Sequence, residues 1–100
     1  GLNMSNYEPP FKVLEGTNQN LSLSTTHAVT SNAFGTSARV IRVATNVDCF
    51  MSVGTAPTAT TTDPILPAGT IDYFLVEPTD KFSAEAVAGT GVCSVTECSR

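Results

Sequence analysis

Apolar side chains recur at every second position along this chain, in short runs closed by Gly, Pro, Asn or Asp. A pleated strand sends successive side chains to opposite faces, so this period predicts half-buried β-strands. Leu21 and Leu23 alternate with Ser22 and Ser24, and Cys49, Met51 and Val53 share one face, with Asp48 and Ser52 opposite. Phe82, Ala84, Ala86 and Ala88 alternate with Lys81, Ser83 and Glu85, the most regular stretch of the chain. Residues 92–98 set Cys93 and Val95 against Ser94 and Thr96. Residues 37–45 form the longest β-branched run, with Val40, Ile41 and Val43 placing apolar groups on both faces. That run predicts a central strand, with Arg39 and Arg42 reaching a rim or an acidic partner. In 70–77, Ile71, Tyr73 and Leu75 alternate with Asp72, Phe74 and Val76. Asp72 is read as outward and solvated, which puts Phe74 and Val76 on the outer face beside it.

The punctuation fits the same architecture. Residues 11–15 alternate briefly, with Phe11 and Val13 on one face, and 16–20 have the composition of a turn. Residues 27–34 read as a strand with a bend before Gly35. Residues 54–67 carry Pro57, Pro64 and Pro67, too much proline for a central strand, and read as a surface loop or an edge excursion. Pro78-Thr79-Asp80 is a turn, and Gly89-Thr90-Gly91 supplies a hairpin-type connection. The expected fold is all-β, an antiparallel β-sandwich of about seven or eight strands, jelly-roll-like, over residues 11–100. Residues 1–10 are polar, end in Pro9-Pro10, and read as an extended N-terminal arm.

Composition narrows the function classes. Thr is the most abundant residue and the usual helix builders are scarce, in keeping with strands. Hydrophobic residues make up 41% of the 100 and charged ones 14%, the reverse of a disordered segment's balance. Five Lys plus Arg against nine Asp plus Glu leave a net charge of −4, so no basic footprint for nucleic acid exists. The longest apolar run, at 73–76, is far short of the roughly 20 residues of a membrane helix. No basic-then-apolar leader opens the chain. The expectation is a protein with neither nucleic-acid nor membrane partners.

Candidate chemistry is sparse. His27 is the sole histidine and sits among threonines without a Gly-x-Ser-x-Gly elbow, which favours a surface role over a catalytic one. Asp72 and Glu85 are the one carboxylate pair that adjacent strands would oppose, yet both alternate with core positions and read as solvated. Gly89-Thr90-Gly91 resembles half a phosphate loop but no helix follows it. Cys49, Cys93 and Cys98 form neither Cys-x-x-Cys nor a Cys/His cluster, so no metal or cofactor is expected. Cys93 and Cys98, five apart, fall on opposite faces of a regular strand, whereas Cys49 and Cys93 could pair across neighbours. Three buried free thiols are the simpler reading, consistent with assembly in a reducing cytosol. The chain is expected to be no enzyme.

Phe50, Phe74 and Val76 stand on faces of their strands opposite the expected core. Either the chain's own loop at 56–68 covers them or another molecule does. Burying a few hundred Å² more of apolar surface, at about 25 cal/mol per Å², is comparable with a small domain's whole stability. Self-association is therefore favoured, and Leu2, Tyr7, Phe11, Phe50, Phe74 and Val76 are the candidate subunit or capsid contacts.

The stretch Arg42-Val43-Ala44-Thr45-Asn46-Val47-Asp48-Cys49-Phe50-Met51-Ser52-Val53-Gly54 resembles a segment of small tailed-bacteriophage virion proteins. Ala56-Pro57-Thr58-Ala59-Thr60, Leu66-Pro67-Ala68-Gly69, Tyr73-Phe74-Leu75-Val76, Lys81 and the ending from Ala88 to Glu97 are similar to the same family. The likeness spans roughly 40–97. It implies a capsid cement or decoration protein of the virion, made in the bacterial cytoplasm, that clamps major capsid protein subunits on the phage head surface. It further implies a homo-oligomer, with a trimer preferred to a dimer by analogy, and the arm at 1–10 reaching a neighbour. The alternative is a tail or fibre module binding host glycan through its Thr-rich loops.

Overall fold

A computed structural model describes residues 11–99, and the expected arm at 1–10, with Leu2 and Tyr7, lies outside the described residues. Nine strands and no helix occur among the described residues. They are β1 (Lys12–Val13), β2 (Gln19–Leu23), β3 (Ala28–Val29), β4 (Val40–Thr45), β5 (Cys49–Gly54), β6 (Ile65–Leu66), β7 (Ile71–Leu75), β8 (Lys81–Ala86) and β9 (Gly91–Ser99). Two antiparallel sheets result. Sheet A runs β1-β9-β4-β7, with β2 also on β9, and sheet B runs β3-β8-β5-β6. β1 and β2 occupy the same side of β9, at Cys98–Ser99 and at Gly91–Val95 respectively, because β4 fills the other side. They act as one interrupted strand, so the fold is an eight-stranded jelly roll of two four-stranded sheets.

The alternating runs land as their pattern predicts. Leu21 and Leu23 of β2, Cys49 and Met51 of β5, Phe82, Ala84 and Ala86 of β8, and Cys93 and Val95 of β9 all enter one core between the sheets. Ile41 and Val43 of β4 join them, and β4 is central, between β9 and β7. The 54–67 excursion contributes only β6, a two-residue edge held between Pro64 and Pro67. From 27–34 only β3 forms as strand. Beyond it Thr30 extends the pairing, its N–H donating to Phe82 O (2.9 Å) while its Oγ1 accepts from Phe82 N (3.1 Å).

Two expectations are corrected. Gly89-Thr90-Gly91 is no hairpin: it carries the chain from β8 in sheet B to β9 in sheet A. Glycine and polar residues report that the chain bends there, not which strand it bends towards. The facing of β7 is also reversed. Val76 is buried in the core and Phe74 packs against it, while Leu75 and Ile71 are 74% and 52% exposed. Phe74 is registered on Ile41 and Asp72 on Val43, so inward-facing β4 residues carry their β7 partners inward. Asp72 remains half-exposed there, and its carboxylate keeps access to water.

The turn at Glu77-Pro78-Thr79-Asp80 closes with Asp80 N–H on Glu77 O at 3.1 Å, and Thr79 has φ +77°. Proline second and a positive φ third define a type II turn, where glycine or asparagine is the usual third residue. A β-branched side chain in that region is strained. Thr79→Asn is expected to raise stability by roughly 0.5–1 kcal/mol, read as a higher urea midpoint at unchanged slope. At Gly91 the opposite holds, because a Cβ there would stand 2.5 Å from Val47 Cγ1 and from Asn46 Oδ1. Asn46 Oδ1 also accepts from Val92 N–H at 2.8 Å, so it has little room to retreat. Gly91→Ala should lower stability by about 1–3 kcal/mol in the same denaturation experiment.

Candidate interaction surface

The residue types singled out for chemistry do not converge. His27 is exposed in the loop between β2 and β3. Asp72 and Glu85 do not face each other across adjacent strands, since β7 belongs to sheet A and β8 to sheet B. Among the described residues no cavity and no group of three or more His, Cys, Asp or Glu suited to a metal ion is present. One buried carboxylate escaped the sequence reading. Glu97 faces inward opposite Ile41, and its Oε1 accepts the Gly35 N–H at 2.9 Å, pinning the 30–37 loop over that end of the sandwich. Nothing in the Val-Thr-Glu-Cys context marks it.

The three cysteines are buried and free. Cys93 faces the core from β9 and Cys98 lies on the opposite face of the same strand, as their spacing predicts. Cys49 and Cys93 belong to different sheets, not to neighbouring strands. Burial raises all three thiols. Cys93 is pushed up to about 12, with Cys49 beside it adding to the rise. At Cys49 burial outweighs the hydrogen bond with Thr45, and at Cys98 it outweighs the nearby Arg42 guanidinium.

What remains is surface, and the two outer faces differ. On sheet B the outer row contains Ile65, Phe50 and Glu85, registered side by side, with Ser52 and Ser83 next to it. The chain's own 55–64 loop lies over this face. The N–H of Ala59 donates to the fully buried Ser83 Oγ at 2.9 Å, Pro57 and Ala59 are buried, and Met51 N–H reaches Pro64 O at 3.0 Å. Phe50 is half-buried there. Self-coverage therefore accounts for part of this face, while Ile65 stays exposed. Of the expected contacts, Val76 and Phe74 are spent on the core, as corrected above.

The outer face of sheet A divides. Toward β2 it is polar: Asn18 Oδ1 accepts from Ser94 Oγ (2.6 Å) and Thr96 Oγ1 (2.9 Å), and Asn20 is registered on Ser94. Arg42 occupies the middle, between Thr96 and Tyr73. Arg39 instead caps its own loop, donating to Thr36 O and Ala38 O at 2.7 and 2.8 Å. Toward β7 the face is apolar, with Ile71, Tyr73 and Leu75 in one column. Phe11 stacks on Tyr73 with ring centroids 5.2 Å apart and planes at 39°. Since β1 and β7 are at opposite edges of sheet A, Phe11 lies over the intervening face, where Val40 and Cys98 are fully buried. Phe11 is half-buried there, in the same face as the exposed Ile71 and Leu75. Ile71, Tyr73 and Leu75 were missed because Asp72 masked the true facing of the strand.

No family model matches this chain, and no curated protein or solved structure matches it.

The Cys93 shift carries a pH dependence. Its folded pKa lies above the ordinary value of 9.0. Over that interval the unfolded chain has lost a proton that the folded chain retains, so unfolding becomes easier as pH rises. The contribution is complete below about pH 9 and declines from there to about pH 12. Cys93→Ala should flatten this alkaline decline relative to the parent protein, measured as the urea midpoint between pH 8 and 11.

Proposed function

We propose that the protein is a phage capsid cement or decoration protein, one that adds a β-sandwich to the outside of the head and bridges neighbouring capsid subunits. The observation that carries this reading is the apolar column Ile71, Tyr73 and Leu75, with Phe11 stacked beside it, on a sandwich whose other outer face is covered in part by its own loop and keeps Ile65 exposed. Ile71 and Leu75 are exposed on one face of one strand, and covering them would remove apolar area from water, which supports docking there. The resemblance of residues 40–97 to tailed-phage virion proteins supplies the identity of the partner, the major capsid protein. A jelly roll is compatible with the role but hosts many others, so the fold adds no weight by itself. Self-association belongs to the same reading, as a trimer by family analogy or as a dimer.

Heads stripped of this protein are expected to lose resistance to heating and osmotic shock, and to regain it when purified protein is added back. Adding it back as Leu75→Lys should restore little. Unchanged resistance of stripped heads, with no co-sedimentation of the protein, would remove the cement reading. Hits on a glycan array without head binding would transfer the protein to the tail or fibre class.

A further inference from the structure

The free edge of sheet A at β7 has both halves of a self-complementary interface. Val76 N–H donates to Arg39 O at 3.0 Å, and β7 and β4 pair antiparallel with Leu75 opposite Val40. Hydrogen-bonded and non-bonded pairs alternate along such a ladder, so Phe74 and Asp72 aim their backbone groups at β4. Ile71, Tyr73 and Leu75 therefore aim theirs at the open edge, where no described strand pairs with them. These are the same three residues whose side chains form the apolar outer column. The remaining edges of the sandwich are managed. β3 and β6 are two residues long, β6 is flanked by prolines, and β2 carries Asn20 and Ser22 on its outer face. Short edges, prolines and polar residues are the usual means of stopping edge pairing. β7 has none of them on its outer column.

We propose that β7 pairs with β7 of a second copy of this chain, antiparallel about a two-fold axis at Tyr73, joining two A sheets into one continuous sheet. In that register Tyr73 opposes its own symmetry mate, and Ile71 opposes the second copy's Leu75 in both directions. All three pairs are of the hydrogen-bonded kind, which supplies six main-chain hydrogen bonds. The two most exposed apolar residues of the strand cover each other, and Asp72 opposes Phe74 of the second copy, so no like charges meet directly. An isologous contact of this form closes on itself as a dimer. That geometry selects the dimer over the trimer suggested by family analogy. A five-residue edge buries less than the roughly 1,200–2,000 Å² of a standard interface, so the dimer forms at high protein concentration and dissociates on dilution. The inference does not depend on the capsid reading, because it concerns the purified protein alone.

Sedimentation velocity across a concentration series, combined with amide hydrogen exchange, tests it. The full chain should pass from monomer to dimer with rising concentration. Protection at Ile71, Tyr73 and Leu75 should rise in step, while Asp72 and Phe74 stay protected throughout. Ile71→Lys with Leu75→Lys, and separately Ile71→Glu with Leu75→Glu, should each stay monomeric at concentrations where the parent dimerises. An equimolar mixture of the two should recover a heterodimer through two Lys–Glu pairs. Equal urea midpoints for parent and variants establish that the fold is intact, and the exchange series on the parent needs no variant. A chain that stays monomeric overturns the proposal. So does a trimer, or edge protection independent of concentration, which would mean that the chain's own residues 1–10 occupy the edge.

Discussion

Strand β9 is the rail on which sheet A is built. Its nine residues pair with β4 along one side and with β2 and then β1 along the other. Side chains alternate strictly, so once Cys93, Val95 and Glu97 face inward, every residue registered on them must do the same. Leu21 follows through Cys93, Val43 through Val95 and Ile41 through Glu97. The order passes one strand further, from Ile41 to Phe74 and from Val43 to Asp72. A one-residue slip of β9 would move Leu21 and Leu23 of β2 and Ile41 and Val43 of β4 off the core face together.

The core that this rail defines mixes small groups with large ones. Ala38, Ala84, Ala86, Cys49 and Cys93 are its small members, and Leu21, Leu23, Phe34, Ile41, Met51, Leu66 and Phe82 its large ones. Small inward residues let the two sheets approach closely, and a thiol fills the space of a small hydrophobe without demanding a strong hydrogen bond. The ends of the sandwich then need closing by other means. Glu97 draws in the backbone of Gly35, and Thr30 replaces a strand hydrogen bond with its hydroxyl. These polar anchors are inside because each finds a partner, as buried polar groups must.

How far the sequence was legible follows from the same geometry. β2 and β8 were readable because polar and apolar residues alternate without conflict, so the local pattern already states which face is wet, and β5 follows the same pattern apart from Phe50. β7 was not, because both of its faces are apolar apart from Asp72, and only its register on β4 decides between them. Reading Asp72 as outward put the surplus apolar surface on Phe74 and Val76 when it belongs to Ile71 and Leu75. The exposed apolar side chains of this strand are therefore Ile71 and Leu75, not the residues expected. The β8–β9 connection failed for a related reason: turn chemistry is local, while the sheet in which the next strand finds its partner is not. Thr79 and Glu97 left no trace in the sequence, since a strained φ and a buried carboxylate are both set by tertiary neighbours.

The contrast between the two outer faces says how strongly the sandwich is disposed to associate. On sheet B the 55–64 loop does part of the covering, and it costs nothing in translational freedom because it belongs to the same chain. On sheet A the apolar column at β7 can be covered by a separate molecule only against the association cost of about 4–15 kcal/mol. Burying an exposed Leu or Ile contributes about 1.5–3 kcal/mol at most, and a hydrogen bond about 0.5–1.5 kcal/mol. Four such side chains and six such bonds bring the gain into the same range as the cost. The proposed contact through β7 would thus lie near balance in dilute solution, where small changes in concentration or in one side chain decide it. On any surface that holds copies side by side, the effective concentration rises and the balance tips toward pairing.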